Sequence, residues 1–264
     1  MPEATESPPG VGSGDGGNNH PSIFSSPGLS AGAFLKSPYH SYPPGSSPAP
    51  DIQVTVFPRV VEPHILAQAH LRPSPDDPPM MLVTVSLLDP EGRSAVCLDP
   101  EHPKDQPPHI CRYRRPRTVE PRSPTDLKKL AWGVARVREI MNTEPLKNLT
   151  MGEVYPGPEV GESASSRDDA VGAGAGDPAL MQWIEDHIYS NSHWCGTARM
   201  GGEGVEGAVV DKNMAVKGSR GLVVADASVI PFIPNGNVHS TVVLMAVRAA
   251  EMLLEERARD KGAV

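Results

Sequence analysis

The fold of this chain is decided by residues 221–241, which read GLVVADASVIPFIPNGNVHST. The compact apolar run at 221–225 predicts a buried strand that ends at Asp226. A polar loop follows at 231–237, and residues 241–255 are then predicted to form a strongly apolar, buried helix. A buried strand, a polar loop and a buried helix are how α/β proteins present ligand-binding loops at the carboxyl ends of strands. This segment therefore predicts a ligand site in and around the loop.

Two further helices are predicted upstream, each from its own N-cap. Ser123 and Asp126 resemble a capping box at the start of one helix, and Asp177 followed by Pro178 predicts the start of the other. Apolar residues recur at the 3.6-residue spacing of one buried face in both helices: Leu127, Leu130, Ala131, Val134, Val137 and Ile140 in the first, and Leu180, Trp183, Ile184 and Ile188 in the second.

Three strands are predicted before these helices. Residues 52–57 alternate like a half-buried strand, 80–88 form a longer β-rich run, and 94–98 form a short one. The turn signal at 89–92 predicts that the last two strands form a hairpin. Strands clustered together with a helix laid across them predict an α+β fold, with packed helices on an antiparallel sheet.

Glycine-rich stretches separate these parts. Residues 1–22 have almost nothing to bury and are expected to be disordered, and about 158–176 is expected to be a flexible linker. The run at 12–17 formally satisfies GxGxxG, but nothing before it can be the strand that a phosphate-cradling turn needs. A second run, at 172–177, ends in an aspartate whose charge would repel phosphate. No complete dinucleotide-binding βαβ unit is therefore expected in this chain.

Composition excludes several classes of protein. The 264 residues carry a net charge of −8, the opposite sign to that of a generic nucleic-acid binder. Cys97, Cys111 and Cys195 are too few and too scattered to predict a disulfide framework or a zinc site, so no metal is expected. No apolar run approaches the roughly 18–20 residues of a membrane span, and no signal peptide is recognised. A soluble intracellular protein is the default expectation, with the compartment left open.

Three polar residues near the predicted ligand loop are candidates for chemistry. His193 lies where a helix stops and glycines follow, which suits either a catalyst or a structural hydrogen bonder. Asn237 and His239 leave the same two interpretations open, since an asparagine after glycine also suits a turn or an N-cap. A Cys195–His193 nucleophile pair is disfavoured, because side chains two residues apart rarely point at each other.

Several motifs recur together in one known family. They are HWCGTARMG at 193–201, VVD at 209–211, VKG at 216–218, LVVADASVIP at 222–231 and GN at 236–237. In this order and spacing the chain resembles the C-terminal part of the glucose-methanol-choline (GMC) oxidoreductases, which are FAD-dependent alcohol oxidases and dehydrogenases. The strong match covers roughly 189–256, and weaker ones cover 26–35 and 87–98.

The resemblance implies an activity and two catalytic residues. In such enzymes an alcohol loses its hydroxyl proton to a base while its carbon transfers a hydride to flavin N5. His193 matches the family's active-site histidine, a residue suited to cycling a proton near neutral pH. Asn237 matches the second catalytic position, which is asparagine in some members and histidine in others. His239 is the rival for that position, because Val238 stands where the family usually has proline.

The resemblance also implies how FAD would be held. Asp226 and Ala227 match the turn that contacts the FAD pyrophosphate and ribitol. Residues matching those that face the flavin pyrimidine ring are Asn237, Val238, His239 and Thr241.

The implied organisation is a substrate-binding domain at 23–188, followed by a segment at 189–264 that carries the active-site histidine and completes an FAD-binding α/β domain. Because the GxGxxG unit is lacking, the resemblance implies that an N-terminal FAD-binding half is separate or missing. The implied partner is a small-molecule alcohol substrate. Two alternatives stay open: a flavin-dependent lyase or photodecarboxylase on the same scaffold, or a non-catalytic binding module derived from it.

Overall fold

A computed structural model describes residues 31–39, 49–58, 80–98, 104, 109–111, 123–161 and 176–262. The disorder expected for residues 1–22 and the glycine run within it lie outside the described residues. So do residues 162–175 of the linker predicted at about 158–176. The segment at 26–30, part of the weaker family match, lies outside them as well.

An antiparallel sheet is built from three strands: β1 (Ala31–Leu35), β2 (Ile52–Phe57) and β3 (Leu82–Leu87). The spatial order is β1-β2-β3, so β2 is central, and its Ile52 pairs with Leu35 on one side and Leu87 on the other. Ile52 and Val54 are buried, as the alternation of β2 predicts. The antiparallel sheet predicted for this region is confirmed.

The helices are α1 (Pro124–Met141), α2 (Leu146–Leu149), α3 (Pro178–His187) and α4 (His239–Gly262), with a short 3-10 helix at Ala227–Val229. Both predicted N-caps are confirmed. The Ser123 hydroxyl accepts the Thr125 N–H, and the Asp177 carboxylate accepts N–H groups from Ala179 at 2.8 Å and Leu180 at 3.2 Å. These local hydrogen bonds satisfy donors that the first turn of a helix leaves free.

The main core lies where α1 and α3 meet the sheet. Leu127, Leu130 and Ala131 of α1 form one buried cluster with Leu180 and Ile184 of α3, beside Val85 and Leu87 of β3. Helices packed on an antiparallel sheet confirm the α+β character of this region.

The last turn of α1 departs from the predicted apolar face. Ile140 is 44% exposed. Arg138 points into the structure instead, donating to the Glu153 carboxylate at 2.9 Å and to the carbonyls of Val160 at 2.8 Å and Gly157 at 3.1 Å. Residues two apart on a helix point about 200° away from each other, so the inward Arg138 turns Ile140 towards solvent.

The hairpin predicted across residues 89–92 is wrong. Strand β4 (Ala95–Cys97) pairs with β5 (His109–Cys111) in a separate two-stranded sheet. The fully buried carboxylate of Asp126 accepts the N–H groups of Glu91 and Gly92, the latter at 2.9 Å, and so does not serve the predicted capping box. The Lys129 ammonium donates to the carbonyl of Asp89 at 3.3 Å. The first turns of α1 therefore hold residues 89–92 and keep β4 off β3.

Asp126 makes the stability of the fold depend on pH. Burial raises the pKa of its carboxyl above the ordinary value of 3.8, opposed by the N–H groups of Glu91 and Gly92 and by the Lys129 ammonium. The folded state therefore holds this proton more tightly than the unfolded state does, and the stability it adds is lost as pH rises through the raised pKa. The free energy of unfolding of the wild type relative to Asp126→Asn should be largest in the most acidic buffer and fall with rising pH. Urea unfolding of both proteins at several acidic pH values measures this difference in the free energy of unfolding. A difference that grows with pH would contradict a raised pKa for Asp126 in the folded state.

The second half of the chain has its own small core, formed by Val210, Met214 and Val229 with Ala249 of α4. The buried strand predicted at 221–225 is wrong: Val223 makes one isolated bridge, to Ala215, and Leu222 is 53% exposed. Its described backbone partners are few, since Val224 donates to the Met214 carbonyl and Leu222 accepts from Val216. A strand buried within a sheet needs a continuous ladder of such bonds.

The predicted apolar helix is present as α4, but it is buried along one side only. Met245, Ala249 and Met252, at positions i, i+4 and i+7, pack on the small core. Leu244 and Leu254 are each 66% exposed. The expectation of a fully buried helix is therefore corrected to a helix with one packed and one exposed apolar face.

Cys97 takes part in a disulfide bond, whereas Cys195 is a free thiol. The scattered cysteines did not predict this bond. Within the described ranges, no helix is long and apolar enough to cross a membrane.

Candidate active site

Backbone hydrogen bonds bring the two motif-bearing segments side by side. Gly196 donates to the Ala227 carbonyl at 3.3 Å, Ala198 to Ser228 at 2.9 Å, and Met200 to Val229 at 2.9 Å. The stretch at 193–201 therefore runs along the turn that follows Asp226. Both stretches were selected from sequence, and the structure joins them.

Gly196 allows this close approach. Its φ is +84°, and a Cβ at this position would lie 3.2 Å from the carbonyl oxygen of Ile230. A side chain there would be strained by the backbone angle and crowded by the neighbouring segment. The glycine is therefore needed to hold the residues before it against the 226–230 turn.

His193 is half-buried and follows a sharp turn in the chain. Ser192 has a φ of +59°, uncommon for a residue other than glycine, and its N–H donates to the Ser190 hydroxyl at 3.1 Å. The His193 ring makes no hydrogen bond with any residue in the described ranges. The described residues therefore offer no partner for a purely structural hydrogen bond of His193, and its imidazole is available to a ligand.

Asp226 shapes the turn next to His193. Its carboxylate accepts both the N–H of Ser228, at 2.8 Å, and the Ser228 hydroxyl, and so caps the 3-10 helix at Ala227–Val229. The side chain of Asp226 is exposed, yet it is engaged by Ser228. Its direct contribution is to fix the backbone of the turn.

The loop before α4 is anchored to the sheet half of the chain. The Asn235 side-chain amide donates to the carbonyl of Pro50 at 2.8 Å. Asn237 is exposed, and α4 begins two residues later. The first described intrahelical donor is the Val242 N–H, which bonds Val238 at 2.9 Å.

The start of α4 is left with donors available to a ligand. The N–H groups of His239, Ser240 and Thr241 have no acceptor among the described residues, as expected for the first turn of a helix. Such groups can bind a carbonyl oxygen or an anion.

Arg93 lies next to the candidate site and follows Glu91 and Gly92, whose N–H groups bind Asp126. Its guanidinium lies 5.9 Å from the centroid of the Phe232 ring, and Phe232 is 72% exposed. Burial raises the pKa of the Cys195 thiol, and the positive charge of Arg93 opposes the shift. Sequence reasoning missed Arg93 and the Asn235–Pro50 contact, because both partners come from far along the chain and no motif marks them.

The arrangement combines a half-buried imidazole, free amide donors, and exposed aromatic side chains at Trp194 and Phe232. Such a set can accept a proton and donate hydrogen bonds to a ring or a carbonyl. Among the described residues, no group of three or more His, Cys, Asp and Glu side chains could hold a metal ion.

The model of the GMC oxidoreductase family matches residues 90–246 of this chain. The chain belongs to the GMC oxidoreductase family. The matched region includes every residue assigned to the site from sequence.

Two GMC oxidoreductase relatives differ in their reactions. The chain is 38% identical over 131 residues to the chloroplastic fatty acid photodecarboxylase of Chlamydomonas reinhardtii, covering 49% of this chain and 19% of that protein. It is 30% identical over 164 residues to the oxygen-dependent choline dehydrogenase of Rhizobium rhizogenes, covering 62% and 26%. The family is thus one of enzymes, but the two relatives do not share one substrate.

A solved structure supports the fold. The formate oxidase of Aspergillus oryzae, studied for modification of its FAD, superposes with a TM-score of 0.63 at 22% identity, covering 85% of this chain and 34% of that one. The chain therefore spans between 19% and 34% of the lengths of these three proteins.

The described residues fit part of the FAD that GMC oxidoreductases use. Free N–H groups at the start of α4 and the turn fixed by Asp226 are suited to a flavin ring and to phosphate oxygens. The structure describes no strand–glycine-rich turn–helix unit that would cradle the remainder of a dinucleotide. The roles of His193, Asn237 and the six cofactor-binding residues stay predictions.

Proposed function

We propose that this chain carries the active-site part of an FAD-dependent GMC oxidoreductase that oxidises the CH–OH group of an alcohol. The observation that carries the proposal is His193, whose imidazole is half-buried, has no hydrogen-bond partner among the described residues, and is held beside the 226–230 turn. FAD, when bound, supplies the hydride acceptor for the alcohol carbon.

In the proposed reaction His193 accepts the hydroxyl proton of the substrate. An imidazole exchanges protons near neutral pH, and this ring has no competing hydrogen-bond partner in the described part of the chain. The Asn237 side-chain amide donates a hydrogen bond to the substrate oxygen. Asn235, fixed on Pro50, restrains the loop that carries Asn237.

Proposed FAD contacts come from two places. The turn at Asp226 and Ala227 is assigned to the pyrophosphate and ribitol. The start of α4, comprising Asn237, Val238, His239 and Thr241, is assigned to the flavin ring. In this proposal residues 23–188 bind the substrate, residues 189–264 complete the FAD-binding domain, and a further FAD-binding region supplies the dinucleotide cradle.

The direct test is anaerobic bleaching of the flavin absorbance by alcohols, measured on the native protein purified with its FAD. A panel of benzylic, aliphatic and amino alcohols should include at least one that reduces the flavin in the dark. A flavin that none of them reduces would contradict alcohol oxidation, and a native protein that holds no flavin would favour the non-catalytic binding module.

A light-driven decarboxylase is the second candidate, favoured by the 38% identity to the photodecarboxylase. It predicts that illumination of the protein with palmitate releases carbon dioxide, and that no alcohol bleaches the flavin in the dark. The two candidates therefore give opposite results with the same preparation.

Asn237 and His239 can be separated by substitution. Asn237→Ala is expected to lower kcat for the best alcohol by about 10²-fold, the lower end of the cost of removing one hydrogen-bond donor to the developing oxyanion. His239→Ala keeps its backbone N–H and should change kcat by less than about 2-fold, within the range of a residue that makes no transition-state contact. Steady-state kinetics of the two variants measures this, and the reverse order would assign the second catalytic position to His239.

A further inference from the structure

Arg93 is held in place by buried groups of α1. The Asp126 carboxylate binds the N–H groups of Glu91 and Gly92, directly before Arg93, and Lys129 holds the carbonyl of Asp89. Both Asp126 and Lys129 are almost completely buried, with exposures of 0% and 1%. The backbone that presents Arg93 is therefore restrained by the core of the sheet half.

The side chain of Arg93 contacts one segment of the candidate active site and acts electrostatically on the other. It lies over the Phe232 ring, in the loop that leads to Asn237. Its positive charge also opposes the rise that burial causes in the pKa of the Cys195 thiol, two residues after His193. Arg93 is thus near the groups that would contact a substrate, although it belongs to neither motif.

This guanidinium forms no ion pair within the described ranges. Three acidic side chains of these segments bind other groups: Glu91 accepts the Ser123 hydroxyl, Asp126 accepts backbone N–H groups, and Asp226 accepts from Ser228. A free cation beside an aromatic face is a good binder of carboxylates, because the guanidinium can donate two parallel hydrogen bonds.

We propose that Arg93 determines substrate specificity and selects alcohols that carry a carboxylate at the end remote from the hydroxyl. A quaternary ammonium group, the charge of choline, would be repelled at the same place. This inference rests on the proposed alcohol oxidation and names its substrate class.

Three matched alcohols test the proposal by steady-state kinetics: 4-(hydroxymethyl)benzoate, 4-methylbenzyl alcohol and choline. Arg93→Met is expected to lower kcat/KM for the anionic alcohol about 10-fold, equivalent to about 1.4 kcal/mol, and to change that for the neutral alcohol by less than about 2-fold. Arg93→Glu should raise kcat/KM for choline. Arg220→Met, which removes another exposed arginine, is the matched control and should leave the preference unchanged.

A binding measurement separates this inference from the proposed function. Calorimetric titration with 4-methylbenzoate, which has no hydroxyl to oxidise, should show about 10-fold weaker binding to Arg93→Met than to the wild type. Equal binding, or an equal loss of kcat/KM for the anionic and neutral alcohols, would overturn the role of Arg93. Weaker binding to the variant without turnover of any alcohol would support the anion site while contradicting alcohol oxidation.

Discussion

Replacing His193 by alanine is expected to slow alcohol-driven flavin reduction by about 10²–10⁴-fold, the usual contribution of a general base. The structure supplies the reason, since the imidazole is half-buried and has no hydrogen-bond partner in the described residues. The substitution would remove the proposed proton acceptor and leave the backbone hydrogen bonds of Gly196, Ala198 and Met200 in place. Stopped-flow measurement of flavin bleaching reports the rate directly.

A second histidine provides the control. His187 lies in α3, where Nδ1 is bonded to the Trp183 carbonyl at 2.8 Å and the ring stacks on Trp183 at 4.2 Å between centroids. His187→Ala should leave the reduction rate unchanged. Added imidazole should restore part of the rate to His193→Ala, which a merely structural role would not allow. If flavin reduction in His193→Ala stays within about 10-fold of the wild-type rate, His193 is not the general base.

Replacing Gly133 by valine is expected to destabilise the fold by about 3 kcal/mol, at the upper end of the cost of overpacking a core. A Cβ at Gly133 would lie 2.5 Å from Val85 Cγ1 and 3.3 Å from Ile52 Cγ2. Both neighbours are β-branched residues with few alternative rotamers, so α1 would have to move off the sheet. Helix propensity alone predicts the opposite sign, because valine is a better helix former than glycine.

The test is urea unfolding with a rescue. Val85→Ala removes the methyl group in the way and should recover part of the stability when combined with Gly133→Val. Gly202→Val is the matched control, since a Cβ there meets nothing within 4 Å. It should change the free energy of unfolding by no more than about 0.5 kcal/mol. Equal stabilities of Gly133→Val and the wild type would show that α1 does not approach the sheet this closely.

Local features were predictable from sequence. The caps at Ser123 and Asp177 were predicted because an N-cap bonds donors only two or three residues ahead. The hairpin was not, because Asp126 binds the N–H of Glu91, which is 35 residues away. A buried carboxylate with a distant partner overrode a local turn signal.

In the candidate site, too, local features could be predicted from sequence and long-range contacts could not. His193 and the turn at Asp226 were found from the order of short motifs, but no sequence pattern gives the register that joins Gly196 to Ala227. The strand expected at 221–225 failed because its apolar composition does not reveal how few backbone partners it has. Arg93 was missed because an exposed arginine after a turn has no distinguishing neighbour in sequence.

The hydrogen bond between Asn235 and Pro50 spans 185 residues, and this separation has a consequence during protein synthesis. Pro50 leaves the ribosome long before Asn235 has been made, and at about 5–20 residues per second the interval is on the order of ten seconds or more. The sheet and α1 are complete in sequence well within that time. The sheet and α1 therefore have time to form before the loop that precedes α4 is made, and Asn235 then binds Pro50 on a surface that is already in place.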